Sequence, residues 1–123
     1  MTAPHTAASR RAGVSEQQMS RVFRALSDPT RRAVLAQLAH KPASMTELAR
    51  PFKMALPSFA QHLTVLEECG VVRSHKAGRV RHYQLVPQPL AVAEDWMMAQ
   101  RAIWEQRLDQ LGEYVEKMQS EER

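Results

Sequence analysis

The chain has 123 residues, 44% apolar and 24% charged, with a formal net charge of +4 that divides unevenly: residues 1–87 hold 13 Lys/Arg against 5 Asp/Glu, and residues 88–123 hold 4 against 8. This is the size and mixture of one globular domain, with no apolar run near the ~20 residues of a membrane span. A single cysteine and four glycines exclude an internal disulfide framework and a multi-thiolate zinc site, and leave little material for a Gly-rich phosphate loop.

Residues 1–14 are expected to form a disordered tail, rich in Ala, Thr, Ser and Arg. Arg10 and Arg11 are followed by no apolar stretch, which is not the pattern of a secretory signal. From Ser15 a helical period begins, with Met19, Val22, Phe23 and Leu26 at i, i+3, i+4 and i+7. Ser27-Asp28-Pro29 ends that helix and starts another: Asp28 suits the N-cap, and Pro29 suits the first helical position, where its missing N–H costs nothing. Val34, Leu35 and Leu38 line its apolar face, and Lys41-Pro42 is expected to close it.

Ser44 and Glu47 have the spacing of a capping box. The short helix they open turns Leu48 and Ala49 inward and stops near Arg50, before Pro51. Pro57 opens the next helix, with Phe59, Leu63 and Leu66 on one face and Ser58, Gln61, His62 and Val65 around the other; Gly70 fits its C-cap. Then the period changes to two. Residues 71–86 read as two short strands around Ala77-Gly78, one returning over Arg79 to Val86 with Val80, His82 and Gln84 on one side. Pro87-Gln88-Pro89 is expected to break the chain before a single long helix over residues 90–119.

The order predicts a mainly α fold with a small β-hairpin: a winged helix-turn-helix over residues 15–119, with the helix-turn-helix at 44–69, the wing at 71–86 and a long C-terminal dimerisation helix. In such a fold the second helix of the pair lies in the major groove. Ser58, Gln61, His62 and Thr64 are its candidate DNA contacts, and Gln61 and His62 are the base readers among them. Arg73, Lys76, Arg79 and Arg81 are the candidate wing contacts, on a hairpin with no acidic residue. The competing reading of the wing is a sheet edge blunted by basic side chains.

The segment "LSDPTRRAVLAQL", Leu26 to Leu38, resembles the opening signature of the ArsR-type (arsenical-resistance) winged-helix repressors. "MTELARPFKMALPSFAQHLTVLEECGVVRSHKAGRVRHYQL", Met45 to Leu85, is similar to their helix-turn-helix and wing. The resemblance covers about Ser20 to Leu85. It implies a dimeric bacterial transcriptional regulator, usually a repressor, on an inverted-repeat double-stranded operator, with the first and last helices pairing across the dimer. Two positions depart from the family pattern: Ala55 and Ala60 stand where many relatives carry Ser.

Metal-sensing relatives carry Cys pairs in the first helix of the motif or Asp/His clusters in the last helix. Here the first reads "ELARPF", and no histidine follows His82. The five histidines, His5, His40, His62, His75 and His82, show no close ligand spacing. No metal and no cofactor are expected. Cys69, beside Gly70, reads as a small buried thiol rather than a redox switch.

In the last helix Trp104, Leu108, Leu111, Val115 and Met118 alternate steps of four and three, with Met97 one heptad before Trp104. With Met19, Val22 and Phe23 they form the expected homodimer interface; a single wide amphipathic core face is the alternative. No carboxylate pair, Ser/His/Asp set or phosphate loop points to an enzyme. The function expected is that of a cytoplasmic DNA-binding regulator that does not respond to metals. A protein-interaction adaptor on the same scaffold, or a repressor that senses a small organic ligand, are the alternatives.

Overall fold

The computed structural model describes residues 13–122, so the expected tail lies outside them except for Gly13 and Val14. Helix α1, Glu16–Leu26, starts where the Ser15 hydroxyl accepts the Gln18 backbone N–H at 3.0 Å. It buries Val22 and Ala25, while Met19, Phe23 and Leu26 stay half-buried. Val22 is therefore not available to a partner chain. It has no exposed surface, because it shares a face with Ala25, three positions on, and that face fills the chain's own core. Helix α2, Pro29–Leu38, has Asp28 at its N-cap and Pro29 in its first turn, and buries Val34, Leu35 and Leu38. It ends at Leu38, before the Lys41-Pro42 stop.

A two-residue strand that the sequence reading did not contain, β1 (Ala43–Ser44), precedes helix α3, Met45–Ala49. The Ser44 hydroxyl accepts the Glu47 N–H, and the Glu47 carboxylate accepts the Ser44 N–H, both at 3.2 Å. This is the reciprocal capping box that the spacing announced. Helix α4, Leu56–Glu68, buries Phe59, Leu63 and Leu66. Phe59 stacks on Phe52 of the preceding turn, ring centroids 5.4 Å apart. At its start Ala55 offers no side-chain cap.

Helix α4 ends with Cys69 as C-cap and Gly70 at φ +84°. The Gly70 N–H donates to the Glu67 carbonyl and the Val71 N–H to the Leu66 carbonyl, which is a Schellman motif. Gln18 of α1 closes it by donating from Nε2 to the Cys69 carbonyl at 3.1 Å. A Cβ on Gly70 would meet that Nε2 at 2.6 Å. Gly70→Ala therefore combines a left-handed penalty of about 1–2 kcal/mol with loss of the Gln18 cap. It is expected to lower the thermal midpoint by roughly 5 °C or more. Gly112→Ala, in the long helix where a Cβ meets nothing within 4 Å, is expected to raise it slightly, because Ala is the better helix former. Equal melting curves for the two variants would contradict this account.

Strands β2 (Val72–Ala77) and β3 (Val80–Leu85) pair antiparallel, and β1 adds to the far side of β3, giving the order β1-β3-β2. The hairpin turns on Gly78-Arg79 rather than Ala77-Gly78, since Ala77 pairs directly with Val80. Gly78 has φ +65° and Arg79 a negative φ, the signs of a type II′ turn, whose twist matches that of paired strands. Tyr83 and Val72 point into the core.

Helix α5 runs from Pro87 to Glu121, 35 residues or about 52 Å. It begins three residues before the expected start. Pro87 and Pro89 lie in its first turn, where backbone N–H groups have no intrahelical acceptor, so they open the helix instead of breaking it. The chain divides into two compact units at Ala93 and Glu94. The first holds the core, to which α5 contributes Val92 and Ala93. The second is the rest of α5, on which Met97, Trp104, Leu108, Leu111, Val115 and Met118 are all exposed.

Candidate nucleic-acid interface

Helices α3 and α4, joined by the turn at residues 50–55, are followed directly by the β2–β3 wing. Because Phe59, Leu63 and Leu66 define the buried face of α4, the 100° step between neighbouring residues fixes what faces outward. Gln61 and Thr64 lie opposite the core and are exposed, and Ser58 is exposed at the edge of that face. Gln61 and Ser58 have no side-chain hydrogen bond among the described residues. The Thr64 hydroxyl donates to the Ala60 carbonyl one turn back at 3.1 Å, so its proton is already used inside the helix.

His62 does not share that outward face. It sits at the border of the core, its side chain 22% exposed. Its Nδ1 is 3.2 Å from Nη1 of Arg31 and 3.7 Å from Oδ2 of Asp28. Arg31 also donates from Nε to the Ala25 carbonyl at 2.8 Å and from Nη2 to the Arg24 carbonyl at 3.2 Å. The guanidinium thus joins the end of α1, the start of α2 and the flank of α4. Asp28 accepts the Arg31 backbone N–H at 3.0 Å. This bond, helped by the nearby Arg31 guanidinium, holds its carboxyl below the usual carboxylate range against the opposing pull of desolvation. The backbone and hydroxyl bonds of Ser44 lower Glu47 in the same direction. Both groups therefore add stability above the unfolded carboxylate pKa of about 4, and lose it as pH falls through their depressed values. Urea midpoints followed below pH ~4 are expected to fall less steeply for Asp28→Asn than for the parent chain.

The four basic wing residues have different surroundings. With the Gln84 amide oxygen turned toward Arg73, that oxygen accepts from both Nε and Nη2 of the arginine. Arg81 donates from Nη1 to the Ser74 hydroxyl at 3.0 Å, and that hydroxyl donates to Glu67 of α4 at 2.6 Å. This chain ties the wing to the last turn of α4. Burial, joined by the nearby Glu67 charge, pushes the Tyr83 phenol up. Lys76 and Arg79 are exposed, with no hydrogen bond or ion pair among the described residues. Lys76 also lies directly across from Arg81 in the ladder. Like charges so placed repel in the free chain, and an anion between them relieves the cost.

Sequence reasoning missed Arg31, Glu67, Ser74 and Gln84, whose parts depend on contacts across the fold. It also missed Leu56, an exposed apolar residue in the first turn of α4, which no periodicity distinguishes from a core leucine. Cys69 is buried, its thiol donating to the Leu66 carbonyl at 3.4 Å, and burial pushes the thiol pKa up. That is the environment of an inert structural cysteine. Among the described residues no three His, Cys, Asp or Glu side chains gather around a possible metal position. His75 and His82, on opposite arms of the hairpin, are register partners with rings stacked 5.5 Å apart. Among the described residues no helix is long and apolar enough to cross a membrane.

Residues 26–75 match the family model described as a helix-turn-helix domain. The HTH-type transcriptional regulator Rv2034 of Mycobacterium tuberculosis is 45% identical over 71 residues, covering 58% of this chain and 66% of that protein. The transcriptional repressor SdpR of Bacillus subtilis is 34% identical over 80 residues, covering 65% of this chain and 89% of that one. A crystal structure of an ArsR family transcriptional regulator superposes with a TM-score of 0.70 at 47% identity, over 74% of this chain and 94% of that chain. With its helix-turn-helix, its wing and these relatives, the chain belongs to the ArsR family of winged helix-turn-helix, DNA-binding transcriptional regulators.

Proposed function

We propose that the chain is a homodimeric repressor that sets α4 of each protomer in successive major grooves of an inverted-repeat operator and lays the wing on the flanking backbone. The observation that carries this is the pair of uncommitted cations Lys76 and Arg79 at the wing's end, next in sequence to a helix whose outward face presents Gln61. On this reading Gln61 reads a base edge, and Ser58 and Thr64 support it or meet phosphate. Lys76, Arg79 and Arg81 neutralise phosphate, while Arg73 acts from its place against Gln84. Met19 and Phe23 of α1, and Met97, Trp104, Leu108, Leu111, Val115 and Met118 of α5, meet a second copy. The acidic balance of residues 88–123 suits a surface kept away from DNA. The site of action is the cytoplasm.

A footprint of the full chain on the DNA upstream of its own coding sequence tests the reading. Two protected half-sites centred about 10–10.5 bp apart are expected; uniform, sequence-independent protection would defeat it. Metal control is not part of the proposed function. The paired imidazoles of His75 and His82 leave a tetrahedral ion two protein ligands short. Zinc, cadmium, nickel and arsenite are expected to leave operator affinity within a factor of about two, against the ~5–150-fold of allosteric coupling. A tenfold loss reversed by a chelator would be the contrary result.

A further inference from the structure

Arginine has five N–H donors and no acceptor. When Nη1 of Arg31 stands 3.2 Å from Nδ1 of His62, the imidazole nitrogen must be the acceptor. Which ring nitrogen holds the proton is set by the bond the other one makes, so the His62 proton belongs on Nε2. The Asp28 oxygen, at 3.7 Å, is beyond hydrogen-bond range of Nδ1 and does not compete for that assignment. Nε2 has no hydrogen bond to any described residue.

Arg31 is itself fixed. Its carbonyl acceptors, Ala25 and Arg24, lie at the end of α1, and its own N–H is held by the Asp28 cap. The ring it holds therefore has a set orientation as well as a set tautomer. We propose that Arg31 is a positioning residue that makes His62 a one-way hydrogen-bond donor toward DNA, and that this donor reads guanine. The inference rests on the proposed reading of DNA by α4. In the major groove guanine presents two adjacent acceptors, N7 and O6, whereas adenine sets its N6 amino donor beside N7 and cytosine offers an amino donor. Guanine alone offers a lone Nε2–H two adjacent acceptors with no donor on the same base, whereas thymine offers the single O4 beside its methyl. His62 then acts from the border of the reading face while Gln61 acts from its centre.

Two measurements on the full chain test this. The first is the ¹⁵N–¹H correlation pattern of the His62 ring in the free protein. The Nε2–H tautomer is expected in the parent, with a mixture of tautomers in Arg31→Met. An Nδ1–H pattern in the parent overturns the proposal without touching DNA binding itself. The second uses the duplex selected by the chain from a pool with randomised half-sites. Replacing one guanine per half-site by 7-deazaguanine or 2-aminopurine, which delete N7 and O6 respectively, is expected to weaken the parent about fivefold or more. The same replacement is expected to change His62→Ala less than twofold. If no guanine substitution separates the two proteins, His62 does not read that base. If the parent selects no duplex at all, the proposed mode of DNA reading falls, and the reading by His62 with it, while the tautomer measurement still stands.

Discussion

Leu111→Glu and Trp104→Glu are each expected to convert a dimer into a monomer at micromolar concentration. Residues 94–122 supply no buried side chain of their own, and Trp104, Leu108 and Leu111 remain 66%, 62% and 58% exposed. A single helix in water is marginal without something against which to bury its apolar stripe. Covering each such side chain contributes roughly 1.5–3 kcal/mol, and two-fold symmetry counts every position twice. A carboxylate in that seam removes the gain and adds an unpaired charge. About 3 kcal/mol of loss raises the dissociation constant more than 100-fold. Sedimentation equilibrium reads the change directly. Glu116→Gln, on the polar side of the same helix, is the control and is expected to leave the mass unchanged. A parent chain that sediments at 14.0 kDa would end the dimer proposal. Because folding and association are linked, the parent's thermal midpoint is also expected to rise with concentration, and that of Leu111→Glu to respond less.

The parts of the fold legible in the sequence are those with a local physical cause. Asp28-Pro29 and the Ser44–Glu47 box announce helix starts because their hydrogen bonds close within three residues. Gly70 marks an end because the chain there needs a left-handed residue. The misreadings are of two kinds, one local and the others set from further away. Pro87-Gln88-Pro89 reads as a break, yet a first turn tolerates proline, and the following residues are strong enough in helix propensity to carry it. The two residues of β1 are extended only because β3 offers Tyr83 and His82 as partners. Val22 and Phe23 look alike by period, but only Val22 falls within the core.

The same division governs the interface. That Ser58 and Gln61 face outward follows from the spacing of Phe59, Leu63 and Leu66, and the structure agrees. That His62 is held from one side by Arg31 follows from a contact 31 residues away in sequence, which no periodicity encodes. Charge counting marks four wing cations but says nothing of what surrounds each. The fold separates them, because Gln84, Ser74 and Glu67 are brought to Arg73 and Arg81 and, among the described residues, no hydrogen-bond or ion-pair partner is brought to Lys76 or Arg79.

Gln61→Ala and Arg79→Ala are expected to fail in different ways on DNA. Gln61 presents an amide that both donates and accepts, the type of group that discriminates base edges in the major groove. Its removal is expected to cost about 1–3 kcal/mol on the selected site and to relax the preference at one base position per half-site, with little change on random duplex. Arg79 occupies the second position of the β2–β3 turn and has no partner among the described residues, so its charge is free for phosphate. Its removal is expected to weaken selected and random duplexes alike, and to reduce the slope of log affinity against log salt by about 0.9 per lost phosphate contact in each subunit. Arg73→Ala provides the contrast within the wing. Its guanidinium is already engaged with Gln84, so the salt slope is expected to change less than for Arg79→Ala. Fluorescence anisotropy titrations over a range of salt separate these cases. An unchanged affinity and slope for Arg79→Ala would show that the wing does not touch DNA. Uniform weakening on all sequences by Gln61→Ala would show that base reading belongs to another side of α4, the one that holds His62.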